Sequence, residues 1–368
     1  KEYGAEAFLH DLSTLGFSTF QHSADYYGLS LILGGGEVTL WELVDVYSRS
    51  AQKLLNYQEE KIEYNIHFND NFKSKGKVFY NEGVIYSMFN AMTEVVRPDS
   101  EGGWQHFQSS VPLAWKTGTS YGHRDAWAVG ITPHYTIGVW VGNSDGEGRP
   151  EIIGSSAAGS IMFSVLHTLP GTGGWFDIPH DEMIEAPVCI KSGHTKGKWC
   201  EDVDTLLIPA ASMWASACPY HELVYVNEDE KRVHINCSDQ YTRKSWFHLP
   251  PDMAYFYQRD HADYEDLPPI AHGCEGNSSG SSIALLYPSS HESIFIPQGL
   301  NGEEKAAVFK ATHRRNNSKI FWHLNDRYLG DTYEIHHMKI QVPPGKHKIK
   351  LIDTEGNEVN RTFEVVGD

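Results

Sequence analysis

Residues 115–120 read Trp-Lys-Thr-Gly-Thr-Ser, and that order of side chains suits acyl transfer. A cation beside hydroxyls can hold a substrate carboxylate and raise the acidity of a nearby serine. A glycine lets a ligand come close to the backbone. The backbone N–H of Thr119 can point at the negative charge that develops on an attacked carbonyl. A Lys-Thr-Gly triplet alone is common by chance, so its setting decides its weight.

The setting is a strand edge. Three apolar runs, 113–117, 126–131 and 136–142, are rich in Trp, Val and Ile and are separated by short polar turns, which predicts an antiparallel meander. Helical spacing surrounds it. Phe8, Leu9, Leu12 and Leu15 share one face of a helix over 2–15. Thr39 followed by Glu42 has the form of a capping box for a helix through Leu40, Leu43, Val44 and Tyr47. Further helices are expected over 83–96, stopping before Pro98, and over 156–169, ending at Pro170. Beyond 179 the periodicity weakens, and Pro250-Pro251 and Pro268-Pro269 interrupt it. From 282 onward short alternating runs return at 282–287, 293–297, 306–312, 320–324, 339–342, 346–352 and 361–366. Seven short strands with turn signals between them indicate a β-sandwich of roughly immunoglobulin type.

At 368 residues the chain has room for two to three domains of about 150 residues. Apolar residues make up 40% and charged residues 21%, a globular balance. The net charge of −18 argues against binding a nucleic-acid backbone, which needs a basic face. No strongly apolar run is long enough to span a membrane. The charge is uneven, −9 over 1–178, −9 over 179–280 and zero over 281–368, and a Gly/Ser-rich seam at 276–282 marks a flexible joint. The chain does not begin with Met and carries no signal peptide, which suits a fragment of a longer protein.

The cysteines, Cys189, Cys200, Cys218, Cys237 and Cys274, fall within 86 residues. No two have the C-x-x-C spacing of a metal knuckle, so no metal is expected. Their clustering suits disulfides and an oxidising compartment, with Cys189 and Cys200 as the expected pair and an odd thiol left over. His336, His337 and His347 could meet on a sheet, but surface or core roles are favoured for them.

Several stretches carry a family resemblance. The run 115–143, WKTGTSYGHRDAWAVGITPHYTIGVWVGN, resembles the third motif and following strands of bifunctional class A penicillin-binding proteins. The run 27–48 resembles the same transpeptidase domain. VCIKSG at 188–193 and CPYH at 218–221 point to the 1C subfamily. So does FWHLNDRYLG at 321–330, which resembles its small C-terminal β-domain. The resemblance implies an α+β (α/β) fold: the C-terminal part of a penicillin-binding/β-lactamase-like transpeptidase domain over 1–178. A Cys/Pro-rich linker region over 179–280 and an all-β immunoglobulin-like sandwich over 281–368 would follow. It implies a peptidoglycan synthase parent that cross-links stem peptides by serine acyl transfer, binds β-lactams and needs no cofactor. An upstream glycosyltransferase domain and an inner-membrane anchor would place it in the periplasm. Lys116 would face the active-site serine and help move its proton. Thr117 and Thr119 would bind the carboxylate, with Gly118 and Ser120 beside them, and the Thr119 N–H would form half of the oxyanion hole.

One departure matters. The family places a Ser-x-x-Lys nucleophile and a Ser-x-Asn motif before Lys-Thr-Gly, and no Ser-x-Asn precedes Lys116. Ser50-Ala51-Gln52-Lys53 has the first pattern but lies only 66 residues before Lys116, and a solvated helix face is the expected reading. The chain alone is therefore expected to be inactive. The alternative function is binding by the C-terminal region, to a cell-envelope protein or to glycan, with Trp322 and Tyr328 as candidate stacking residues that more often belong to a core.

Overall fold

The computed structural model describes residues 3–57, 76–98, 111–214, 216–234, 237, 240–274, 282–288, 293–295, 306–315 and 317–366. Most of the Gly/Ser seam, 276–281, lies outside them. The chain forms two compact units, Lys1–Ala186 with Thr205–Ala215, and Pro187–Asp204 with Ser216–Asp368.

The first unit opens with α1 (Ala5–Leu15). It stops at Gly16, whose φ of 107° favours glycine; a β-carbon there would lie 2.9 Å from the Gly76 nitrogen. A short α2 (Ala24–Tyr27) leads through a 3-10 turn, Gly28–Leu33, to α3 (Leu40–Leu55). The expected capping box is present: Thr39 Oγ1 accepts from the Glu42 N–H at 3.1 Å, and Glu42 Oε2 accepts from the Thr39 N–H at 3.3 Å. The helix runs on beyond Tyr47, because Ala51 and Leu54 continue the stripe of Leu43 and Tyr47 into one core. Asn81 caps α4 (Glu82–Thr93), its Oδ1 accepting from the Val84 N–H at 3.0 Å.

The meander follows as expected: β1 (Ala114–Thr119), β2 (Asp125–Ile131) and β3 (Thr136–Gly142), antiparallel and in that order. The next helix, α5 (Ser160–Thr168), starts later than its spacing suggested, because Gly154–Gly159 form a π-type turn. Both faces of the sheet are covered. Trp115, Ala126 and Ala128 pack with Met162, Phe163 and Leu166 of α5, while Ala114, Val129 and Ile131 pack with Leu54, Ile85 and Phe89. That double burial explains why the strands are apolar almost throughout. The chain leaves this unit along β4 (Met183–Cys189) and returns along β5 (Val203–Pro209), which pair as a two-stranded ribbon.

In the second unit β6 (His221–Val226) and β7 (Thr242–Phe247) form an antiparallel pair, and α6 (Pro251–Tyr257) begins with proline in its first turn. Cys237 and Cys274 are joined by a disulfide. The remainder is strand: β8 (Ile283–Tyr287), β9 (Ser293–Phe295), β10 (Ala307–His313), β11 (Lys319–Leu324), β12 (Arg327–Tyr333), β13 (His337–Ile340), β14 (Gly345–Asp353) and β15 (Glu358–Val366). They form two sheets, β13-β10-β8 and β12-β11-β14-β15-β9, over one shared core that includes Phe309, Trp322, Leu351 and Phe363. All pairings are antiparallel except β9 with β15. Each expected run overlaps a strand. β12 is additional, and its partly buried positions include Gly330 and Thr332, so it shows no apolar alternation. Among the described residues no helix is long and apolar enough to cross a membrane.

Candidate functional site: an open strand edge and a cysteine–histidine cluster

Trp115 fixes β1. Its buried ring meets Phe163 edge-on at 5.1 Å, and its Nε1 donates to the Val95 carbonyl at 3.2 Å. From that anchor the pleat alternates: Thr117 and Thr119 follow the Trp115 side, and Lys116 and Gly118 follow the Ala114 side. The three side chains expected on one wall thus lie on two faces of a single strand. What they share is its edge. β1 pairs with β2 on one side and, among the described residues, with no strand on the other. The Ser120 N–H donates to the Asp125 carbonyl at 2.9 Å, which sets the phase of the ladder. Gly118 and Lys116 then bond across to β2, and the N–H and C=O of Thr117 and Thr119 point outward.

Lys116 Nζ folds over this outer edge and donates to the Thr117 carbonyl at 2.5 Å. An ammonium and an outward N–H therefore stand on the same rim. Gly118 leaves the rim open: the nearest atom to a β-carbon there would be Trp127 Cβ, at 3.7 Å. Thr119 Oγ1 accepts from the Gly154 N–H at 2.9 Å, so its own proton is left to donate. Ser120 shapes the following turn, its Oγ accepting from the Asp125 N–H at 2.8 Å. The Asp125 carboxylate in turn accepts from Trp140 Nε1 at 2.9 Å. Chemically the rim can take an anion and an oxyanion.

Ser50 takes no part in it. It is buried, not solvated as its position suggested, and its hydroxyl donates back to the Val46 carbonyl at 2.8 Å within α3. Lys53 donates to the Tyr80 carbonyl. A second Ser-x-x-Lys, Ser74 to Lys77, was passed over in the sequence; its serine lies outside the described residues.

The cysteines correct the sequence reading. Cys189 and Cys200 are both free, and the disulfide joins Cys237 to Cys274 instead. Cys189, Cys200 and Cys218 are buried together, and their sulfurs lie 3.6, 3.4 and 3.4 Å from Nδ1 of His221. All four ligand-type atoms fall within 4.8 Å of one another, and among the described residues no other such group of three or more is found. The sequence signal was C-x-x-H at Cys218–His221, which a search for C-x-x-C alone passes over. Burial pushes the Cys200 thiol up to about 12. Burial, and then the Lys191 ammonium, lower His221 below its ordinary value. The histidines of the sandwich do not assemble. His336 is buried against Thr332 and Ser318, and His347 bonds the Pro343 carbonyl at 2.8 Å.

Residues 272–363 match the Penicillin-Binding Protein C-terminus Family. Over 256 residues, 64% of the chain, the sequence is 30% identical to penicillin-binding protein 1C of Escherichia coli (strain K12) and covers 31% of it. The chain is similar to the C-terminal part of a penicillin-binding protein 1C-like protein. A stretch of 86 residues, 23% of the chain, is 30% identical to penicillin-binding protein 1A of Clostridium novyi (strain NT), covering 10% of that protein. The chain thus spans about a third of the first relative's length and a tenth of the second's. Among solved structures, fibronectin(III)-like modules of Clostridium thermocellum CbhA overlap 23% of the chain and 95% of their own at 13% identity, with a TM-score of 0.19, too low to bear on the fold. The C-terminus family match falls on the two-sheet region of the second unit and includes Cys274 of the disulfide.

Proposed function

We propose that this chain belongs to a peptidoglycan synthase and that the outer edge of β1 is one wall of its transpeptidase site. The observation that carries this is the rim itself, an open strand edge on which the Lys116 ammonium bonds the Thr117 carbonyl, two residues before the outward Thr119 N–H. In this reading a serine oxygen attacks the carbonyl of a stem peptide or a β-lactam. The bond to the leaving amine breaks after an oxyanion intermediate, and the Thr119 N–H holds part of that charge. Lys116 helps pass the serine's proton towards the leaving nitrogen, and the hydroxyls of Thr117 and Thr119 hold the substrate carboxylate.

Residues 1–178 are then the later part of an α+β transpeptidase domain, and 281–368 an immunoglobulin-like module after a Cys/Pro-rich stretch at 179–280. Exposed Ile32, Leu33 and Val96 suit a first unit completed by further chain. The disulfide suits a periplasmic setting, with a membrane anchor and glycosyltransferase domain elsewhere in the parent. Nucleophilic catalysis needs a serine and its base together. Ser50 is spent inside α3, and in this reading the nucleophile belongs to further chain, which leaves the 368 residues alone inactive. The test is fluorescent penicillin. The chain alone acquires no specific label, and specific labelling of any serine in it, Ser74 included, overturns the inactivity. In the longer protein Lys116→Ala slows acylation by on the order of 100-fold with folding intact. An unchanged rate removes the rim from the site.

A second reading concerns the sandwich. β12 lies at the edge of the five-stranded sheet and exposes Tyr328, Leu329 and Tyr333. An exposed edge with aromatics suits a protein partner from the cell envelope. Trp322 is buried, so a two-ring platform for sugar loses one ring. Binding of isolated glycan strands that Tyr328→Ser abolishes would favour sugar over protein.

A further inference from the structure

We infer that Cys189, Cys200, Cys218 and His221 form a closed structural site for one zinc ion. The distances carry the inference. A tetrahedral centre with Zn–S bonds of about 2.3 Å and a Zn–N bond of about 2.05 Å has S···N edges of about 3.6 Å. The three edges here measure 3.6, 3.4 and 3.4 Å, all to one nitrogen, Nδ1 of His221. Three sulfurs meeting one imidazole nitrogen at that spacing fill four corners and leave none for substrate, so the site is structural, not catalytic.

The surrounding backbone is built for this meeting. After Cys189 the chain turns at once, with the Ser192 and Gly193 N–H groups bonded to the Cys189 carbonyl. The Gly197 N–H points at Cys200 Sγ at 3.3 Å, and Ser192 Oγ donates to Cys218 Sγ at 3.1 Å. Donors aimed at sulfur stabilise thiolates and orient them towards a metal. The two loops are also tied to each other, Cys218 N–H to the Thr195 carbonyl at 2.8 Å. Gly197 lies so close that a β-carbon on it would sit 2.5 Å from the Cys218 carbonyl oxygen. Apolar support is slight: the partly buried hydrophobic side chains packed on the three thiols are Val203 and Tyr220. A cluster that small needs a cross-link to hold two loops together. The same unit oxidises Cys237 and Cys274 but leaves these three thiols free within reach of one another. A bound metal accounts for that difference. On binding, each thiol loses its proton to solvent, the neutral imidazole keeps its second nitrogen protonated, and no oxidant is required.

The experiment uses the whole chain, produced with zinc and recovered without chelator. Elemental analysis is expected to find about one zinc per chain, falling at least tenfold in Cys218→Ser and in His221→Ala. Cys237→Ser leaves the zinc content unchanged. Because the ligand variants can misfold, cobalt(II) is also exchanged into the unaltered chain. Thiolate-to-cobalt charge-transfer bands and tetrahedral ligand-field bands are the expected signature. Alkylation then finds three thiols protected until a chelator is added. Absence of both zinc and cobalt from a chain with three reduced thiols overturns the site. So does a disulfide between any two of Cys189, Cys200 and Cys218.

Discussion

Each unit is organised around a fully buried tryptophan in a sheet, and the two are satisfied differently. Trp115 donates to a backbone carbonyl, that of Val95, in a sheet covered on both faces. Trp322 donates to a side chain, Thr332 Oγ1 at 2.8 Å, and that hydroxyl lies 3.0 Å from Nδ1 of His336. Nε2 of His336 lies 3.4 Å from Ser318 Oγ, so both ring nitrogens face hydroxyls, and the direction of each bond follows the ring's tautomer. A backbone acceptor does not titrate; a histidine does. The buried indole of the first sheet is therefore satisfied by a group that does not titrate, while the second ties its core to the protonation state of one ring.

The largest expected effect breaks the packing in either sheet. Trp115→Ala and Trp322→Ala should each lower the unfolding free energy by about 3–5 kcal/mol, read by urea unfolding under circular dichroism. One residue along β1, Lys116→Ala should change stability by less than about 0.5 kcal/mol, because its side chain is exposed on the open rim. A large loss at Lys116 would mean that the rim is part of the core. Trp322→Phe keeps most of the buried ring and loses the indole N–H, so a cost of about 1 kcal/mol is expected.

The next effect separates the two sheets by pH. Burial, followed by the charges of His313 and His337, lowers His336 from 6.5 to about 4. Between those values the unfolded chain binds the proton and the folded chain does not, so stability falls as the pH falls from about 6.5 to about 4. The full shift corresponds to roughly 3 kcal/mol. Urea unfolding of the chain across this window should show a shallower slope for His336→Asn than for the unaltered protein, whatever the carboxylates add to both. Identical slopes would show that His336 does not carry the dependence.

What the residues disclosed in advance follows the same physics. The three strands of the first sheet, the capping box at Thr39 and the sandwich strands were legible because apolar spacing and cap chemistry are local. β12 was not, since Gly330 and Thr332 occupy positions where a strand usually shows apolar residues. The burial of Ser50 was not legible, because a serine whose hydroxyl bonds back within its own helix can join the stripe that runs from Tyr47 to Ala51 and Leu54. For the site, the Lys-Thr-Gly motif was legible, but not that the pleat sets Lys116 and Thr119 on alternate faces and joins them only at the edge. The cysteine cluster was least legible of all. Cys189 and His221 are 32 positions apart, and only the folded loops bring them to one point.

The smallest effect tests the local end of this argument. Thr39→Ala removes the acceptor for the Glu42 N–H and should cost about 1 kcal/mol. Burial raises the Glu42 carboxyl, but hydrogen bonds from Ser18 and then from Thr39 outweigh it and hold the group below its ordinary value of 4.5. A depressed carboxyl contributes stability above its unfolded value and loses it as the pH falls through the folded one. Glu42→Gln should therefore flatten stability below about pH 4.5 in the first unit, and leave the His336 window of the second untouched. The Thr39→Ala deficit should also shrink in acid, once the carboxylate half of the capping box is protonated. A deficit that stays constant down to pH 3 would mean that the threonine acts alone and that the reciprocal bond from Glu42 adds nothing.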